Sequence, residues 1–440
     1  MRVVRAAAAA MLAFLIACTS ASSPAQDPAT TITSAPSSVA PTTTGPSPSP
    51  TPTAIPGTVT ADRVRLQAPP AGSFLLHGSY PHVDSVCRDP VQPTLTARYP
   101  GTLVVTSTTD GTFDLTLTLP FQRYLEGIAE VPPTWPRAAL EAQVIAARTY
   151  ALATTGWSGE EGETLDAPIC ATSACQVYGG ISVPPVPGMD RWYRAVRRTS
   201  GQVLLSGDRP AETLYFSTSN GRTYGNDEVF GSAPLPYLRP VVERDDRASP
   251  LSRWSARIPF RDLARFLSRA GEWPGGAAIS SVRGNGSIVT VSGPSDTRTI
   301  DGSTFREAVN VWGPCLRPAV YPQGGLPTTL PSRWMTAASS GRVATIEGRG
   351  WGHGIGMVQW GAYGKARRGL SSERILAFYY GGLRPRPYPE PGLIHVEVAS
   401  GLTRLRLVPS ASGATLDGRT IGTGSVVITG GNRLTITSAS

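Results

Sequence analysis

The stretch Phe121-Gln-Arg-Tyr-Leu-Glu-Gly-Ile-Ala-Glu130-Val-Pro-Pro-Thr-Trp-Pro136 runs into Ala139-Leu-Glu-Ala-Gln-Val-Ile-Ala-Ala-Arg148-Thr-Tyr-Ala-Leu152. The pattern changes character within it. Upstream, Leu103 and Val105, then Phe113, Leu115, Leu117 and Leu119, alternate on either side of Asp110-Gly111, which reads as a hairpin. Downstream, Thr134 reads as an N-cap with Pro136 in the first turn. Apolar residues then recur at Leu140, Val144, Ala147 and Ala151, which predicts a helix with one buried face.

Further helices are expected over about 190–198, 261–270 and 304–311, the last opened by a Thr304/Glu307 capping box. Another runs from Ser371 or Ser372 to Gly381-Gly382. Strands are expected at 202–205 and 213–218, across a turn at Gly207-Asp208. Alternation returns in 393–440 (Ile394, Val396, Val398; Leu405, Leu407), with a turn at Asp417-Gly418. Helices scattered among strands without regular βαβ alternation indicate an α+β fold. The segments are 1–18, 19–57, an N-terminal β region 58–120, a core 121–385 and a C-terminal β extension 386–440.

The first two segments read as address and tether. Arg2 and Arg5 precede an apolar run too short for a comfortable membrane span, ending in Leu15-Ile16-Ala17-Cys18. The expectation is a lipoprotein signal peptide with Cys18 as the lipidated residue; an ordinary signal peptide is the alternative. Residues 19–57 hold 26 Ser, Thr or Pro and one charged residue, Asp27. Such a segment cannot bury a core, and extended it reaches about 120 Å. Location at the outer face of the cytoplasmic membrane, lipid-anchored, or secreted to the wall is expected.

Formal charge is +9, yet Lys365 is the only lysine and no basic block occurs. This excludes a Lys-rich nucleic-acid tail and leaves a mildly cationic surface that favours an anionic polymer. Beyond Cys18, an even set remains: Cys87, Cys170, Cys175 and Cys315. In an oxidising compartment this suggests Cys170–Cys175 and Cys87–Cys315 disulfides. Zinc at Cys170/Cys175 is the rival, but no histidine stands nearby in sequence to complete it, so no cofactor is expected.

Three segments carry candidate chemistry. Glu130 stands between Ala129 and Val131-Pro132, with Trp135 close by. Apolar company raises a carboxyl pKa, as a general acid requires; an exposed loop glutamate is the bland alternative. The run Tyr215-Phe-Ser217-Thr-Ser219-Asn-Gly221, leading to Tyr237-Leu-Arg239, crowds hydroxyls suited to a sugar, although Ser/Asn/Gly is also turn chemistry. Gly348-Arg-Gly-Trp351-Gly-His353-Gly-Ile-Gly-Met357-Val-Gln359-Trp360-Gly lacks the spacing of a dinucleotide fingerprint. It suggests a tight backbone presenting aromatic and amide groups, as in a glycan-binding cleft.

Together, segments 121–152, 170–180, 213–239 and 348–382 resemble the SpoIID/LytB family, named for the stage II sporulation protein D and the amidase enhancer LytB. The resemblance rests on Tyr124-Leu125, Glu130, Trp135-Pro136, Ala139-Leu140, Ala142-Gln143 and Ala146 to Ala151. To these it adds the Trp351-Gly-His-Gly…Gly-Met…Gln-Trp-Gly-Ala pattern. It implies a lytic transglycosylase that cleaves peptidoglycan glycan strands between MurNAc and GlcNAc, with Glu130 as acid/base. By resemblance Arg148 is the helix arginine and Tyr237 the tyrosine of a Tyr-Leu-Lys/Arg motif; with Arg239, Ser217, Ser219, His353 and Gln359 they are the expected substrate-binding residues, a structural salt bridge being the alternative for Arg148. Expected partners are glycan strands, the membrane through the anchor, and a wall amidase. A non-catalytic wall-binding or amidase-enhancing module is the alternative.

Overall fold

A computed structural model of the chain describes residues 58–69, 71–79, 94–128, 130–160, 165, 167–181, 186–321, 330–421 and 423–439. The expected signal segment, the tether, Cys18 and Cys87 lie outside the described residues. The fold is α+β, with helices α1 (Phe121–Glu126), α2 (Arg137–Thr154), α3 (Met189–Arg198), α4 (Asn226–Phe230), α5 (Phe260–Arg269), α6 (Gly302–Leu316), α7 (Gln359–Arg367) and α8 (Ser372–Tyr379) among strands.

The two ends of the described chain build one β structure. Leu393–Leu402 pairs antiparallel with Phe113–Pro120, Arg404–Pro409 with Phe74–Ser79, and Leu434–Ala439 with Val59–Ala61. Regions 58–120 and 386–440, separate in sequence, are thus interleaved in a six-stranded and a seven-stranded sheet. Alternation drives this: Phe113, Leu115, Leu117 and Leu119 all point inward, as do Leu405 and Leu407. At the Asp417-Gly418 turn both residues have positive φ (46° and 77°), which a tight two-residue hairpin turn requires.

Helix α2 sits at the centre. It begins after Pro136, with no side-chain cap from Thr134. It is buried on both faces, not one: Leu140, Val144 and Leu152 join the core beneath the sheets. Ala142, Ile145 and Ala146 pack into a second core with Phe216, Met357 and Leu376. Its alanines permit close approach on every side, which apolar periodicity alone does not reveal.

A second lobe grows from the chain between Leu251 and Gly350. Its six-stranded antiparallel sheet runs in the order Trp254–Pro259, Val343–Gly348, Met335–Ser340, Ser281–Asn285, Ile288–Ser292, Thr297–Asp301. Helices α5 and α6 complete its core around Phe266, Phe305, Val289 and Ile346. Asp301 caps α6 by accepting from the Ser303 amide (2.8 Å), in place of the expected Thr304/Glu307 box. The hairpin expected between 202–205 and 213–218 is also corrected. Gln202–Ser206 turns back onto Arg209–Pro210, and Tyr215–Phe216 pairs in parallel with Met357–Val358.

Candidate active site

A cavity of about 490 Å³ opens where the loop after α1, the 173–180 segment, the strand end at 214–217, the Trp351–Trp360 run and the second lobe converge. Glu130 lines it. One carboxylate oxygen, Oε1, accepts from the Val177 amide (2.6 Å); the other, Oε2, lies 3.4 Å from Gln359 Nε2. Burial pushes its pKa up to about 7, against the opposing effect of those two donors. Tyr124, Tyr150 and Tyr215 surround it closely enough to feel its charge. Glu126, the other described carboxyl on the lining, is held by Arg123 at 2.6 Å.

The Val177 amide is fixed by a covalent loop. Cys170 and Cys175 are joined by a disulfide, with Cα atoms 5.5 Å apart. Tyr178 N–H donates to Ala171 O (3.0 Å) and Gly179 N–H to Gly127 O (2.8 Å), which docks the loop beside Glu130. Between these points, Gln176 is fully buried. It donates to Tyr124 Oη (2.6 Å) and accepts from Tyr215 Oη (2.7 Å). Cys315 is also disulfide-bonded; Cys87, its expected partner, lies outside the described residues. Among the described residues, no three or more His, Cys, Asp or Glu gather in a metal-holding arrangement.

Aromatic rings form the wall. Trp135, Trp360 and Tyr363 pack mutually, with centroids 5.0–5.3 Å apart. Trp192 and Trp351 also line the cavity. The alternating glycines explain the opposite side. Gly354 and Gly356 have φ of +90° and +73°, and a Cβ there would stand 2.3 Å from Trp334 and 2.0 Å from Leu214 O. The backbone can then present His353 and end in α7, whose first residue is Gln359. The sequence suggested only a tight backbone here and no helix; the glycines of α7 conceal it.

His353 lines the cavity, but its ring is spoken for. Nδ1 accepts from the Ile355 amide (3.1 Å) and Nε2 faces Tyr215 O (2.9 Å). That pattern fixes the Nε2–H neutral tautomer, and burial lowers the pKa to about 4. Phe216 and Phe230 flank its ring, at 5.5 and 6.0 Å between centroids. Ser217 and Gln359 line the cavity as expected.

Four expected substrate contacts do not face this cavity. Arg148 is fully buried and paired with Glu390 (2.5 Å), with further bonds to Thr199 Oγ1 (3.1 Å) and Val196 O (3.2 Å). Its neighbour Tyr150 lines the cavity instead; two residues along a helix turn a side chain by about 200°. The Tyr237 hydroxyl accepts from the Glu212 amide (3.0 Å). Arg239 lies 3.4 Å from Asp227 and donates to Leu235 O. Ser219 donates through amide and hydroxyl to Asp246 Oδ2 (2.8 and 2.7 Å). Each serves the scaffold that shapes the cleft. Sequence reading missed Ser303, Arg306 and Arg333, which reach the lining from the second lobe. No motif surrounds them, and only the tertiary fold brings them to the cavity that Glu130 lines.

Residues 109–205 match the family model described as stage II sporulation protein. The chain is 29% identical over 280 residues to the stage II sporulation protein D of Bacillus subtilis (strain 168), across 60% of this chain and 74% of that protein. It is 28% identical over 280 residues to the protein of the same name from Bacillus amyloliquefaciens, with the same coverage of both chains. It is also 28% identical over 291 residues to the amidase enhancer of Bacillus subtilis (strain 168), spanning 58% of this chain and 38% of that longer protein. The resemblance read from the motifs is borne out.

Proposed function

We propose that this chain, similar to the stage II sporulation protein family, is a lytic transglycosylase of peptidoglycan glycan strands. The observation that carries the reading is Glu130: a carboxyl with a pKa near 7 in an aromatic-walled cavity, whose other described acid is tied to an arginine. Hydrolytic glycosidases use two carboxyl groups. A single one suffices when the nucleophile belongs to the substrate. Protonated Glu130 gives its proton to the oxygen linking MurNAc C1 to GlcNAc, and that bond breaks. The C6 hydroxyl of the same muramyl ring attacks C1, and its proton returns to Glu130. A 1,6-anhydro-muramyl end and a free GlcNAc 4-hydroxyl result, with no water consumed and no cofactor needed. Tethering of the C6 hydroxyl supplies the effective concentration.

The aromatic wall suits sugar faces, and Gln359 and Ser217 are placed for hydroxyls. Export, anchoring through Cys18 and action in the wall complete the proposal, because such strands lie outside the membrane. Among the described residues no helix is long and apolar enough to cross a membrane. The test is digestion of purified strands with wild type and Glu130→Gln. Loss of cleavage by about 10²–10⁴-fold with retained strand binding is expected. Similarity to an amidase enhancer favours a second reading, a non-catalytic module that serves an amidase. It would be preferred if wild type binds strands and leaves them intact.

A further inference from the structure

The second lobe brings two guanidinium groups to the cavity that contains Glu130. Arg306 comes from α6, one turn after Ser303, which also lines the cavity. Its Nε donates to Leu330 O (2.8 Å), fixing the plane of the fork. Among the described residues no carboxylate lies within ion-pairing distance of it; protein surrounds it closely enough to disfavour its charge, and Glu307 offsets this only at longer range. Arg333 comes from the segment before Met335–Ser340 and lies over the Trp334 ring at 5.6 Å. Its Nε is buried without a hydrogen-bond partner, and its one ion pair is a 3.4 Å contact with half-exposed Asp301. A desolvated cation such as Arg306, without a strong internal partner, is costly unless an anion completes it; Arg333 stays partly exposed, with only the long contact to Asp301.

Glu130 is not that anion. Its carboxylate oxygens meet the Val177 amide and Gln359 Nε2, and among the described residues neither arginine lies within ion-pairing distance of it. All three side chains line the same cavity. Had they been placed against it, they would have held Glu130 ionised and spoiled it as a proton donor.

We propose that Arg306 and Arg333, with Ser303, form an anion subsite that receives a carboxylate of the glycan strand one position away from the scissile bond. The subsite rests on the strand-cleaving reading for its ligand. It replaces Arg148 and Arg239, which the fold commits to internal pairs. An arginine fork suits a planar carboxylate. Two sources exist on such strands: the lactyl carboxylate of muramic acid once its peptide is removed, or a carboxylate of the peptide stem itself.

The test uses full-length Glu130→Gln protein, so that strands bind without being cut. Affinity is measured by calorimetry for peptide-stripped strands, the same strands with lactyl carboxylates methyl-esterified, and peptide-bearing strands. Adding Arg306→Gln or Arg333→Gln is expected to weaken binding of stripped strands about tenfold or more. Esterified strands should bind weakly and equally to all forms. If only peptide-bearing strands respond to the substitutions, the subsite stands and reads the stem. If neither charged strand distinguishes the variants from their parent, the proposal is overturned. Should Arg306→Gln unfold, Arg333→Gln decides, since that side chain is partly exposed. Arginine-dependent binding by a wild type that leaves no anhydro ends would retain the subsite and sink the lytic reading.

Discussion

Glu130 should control both activity and stability through its raised pKa. The group is an acid whose folded pKa, about 7, lies above its value of 4.5 in the unfolded chain. Between those values the folded state holds the extra proton, so stability falls as pH rises through that window. Glu130→Gln removes the penalty. Its melting temperature should match wild type near pH 4.5 and exceed it above pH 7, by the equivalent of roughly 3 kcal/mol. Thermal denaturation across pH checks this; a constant difference between the two proteins would count against a buried acid. Cleavage should decline above pH 7 as Glu130 ionises. His353, with its pKa lowered to about 4, stays neutral throughout that range. The apolar flanks of Glu130 are local, but they left an exposed loop open, and only the motif resemblance singled the residue out. The environment of Arg148 was not legible, since Glu390 and Thr199 meet it only in the folded chain.

At the scale of elements, the disulfide loop and α2 hold the acid in place. Opening the loop with Cys170→Ser and Cys175→Ser should free the Val177 amide from Glu130 Oε1. That donor favours the ionised carboxyl, so its loss should raise the pKa further. The alkaline limb of the activity profile is expected to move to higher pH, while positioning suffers and the maximal rate falls. An unchanged pH–rate profile would show that the loop does not position the acid. Arg148→Ala tests the other support. It removes a fully buried guanidinium and leaves Glu390, partly exposed and still accepting from Gln122 and the Gly201 amide, without its counter-charge, which should cost about 3 kcal/mol. Strand affinity of the protein that remains folded should hardly change, since Arg148 is outside the cavity. A substrate-contact role would show the reverse. Helices at 190–198 and 261–270 were readable to within a residue because each has one apolar face. Helix α7 was not: Gly361 and Gly364 read as loop. They are there because a Cβ would meet Glu243 Oε2 at 2.5 Å and Asp245 O at 2.0 Å.

At the scale of the molecule, the cleft exists because a central helix, a β structure built from both ends of the described chain, and a second lobe meet around one carboxyl. Alternation revealed the strands of 58–120 and 393–440, but not that they interleave, because pairing partners lie some three hundred residues apart. The second lobe's sheet escaped sequence reading altogether. Its strands are five or six residues long, and Arg, Ser, Thr and Gly interrupt their apolar positions. Its contribution to the cleft is therefore the least legible part of the site. On the proposed function, Glu130 serves a nucleophile that the substrate itself provides. Digestion of peptide-stripped strands in ¹⁸O-water at pH 6, read by mass spectrometry, tests it most directly. The account predicts 1,6-anhydro-muramyl ends without ¹⁸O from wild type and none from Glu130→Gln. Reducing ends that carry one ¹⁸O would show attack by water and contradict it.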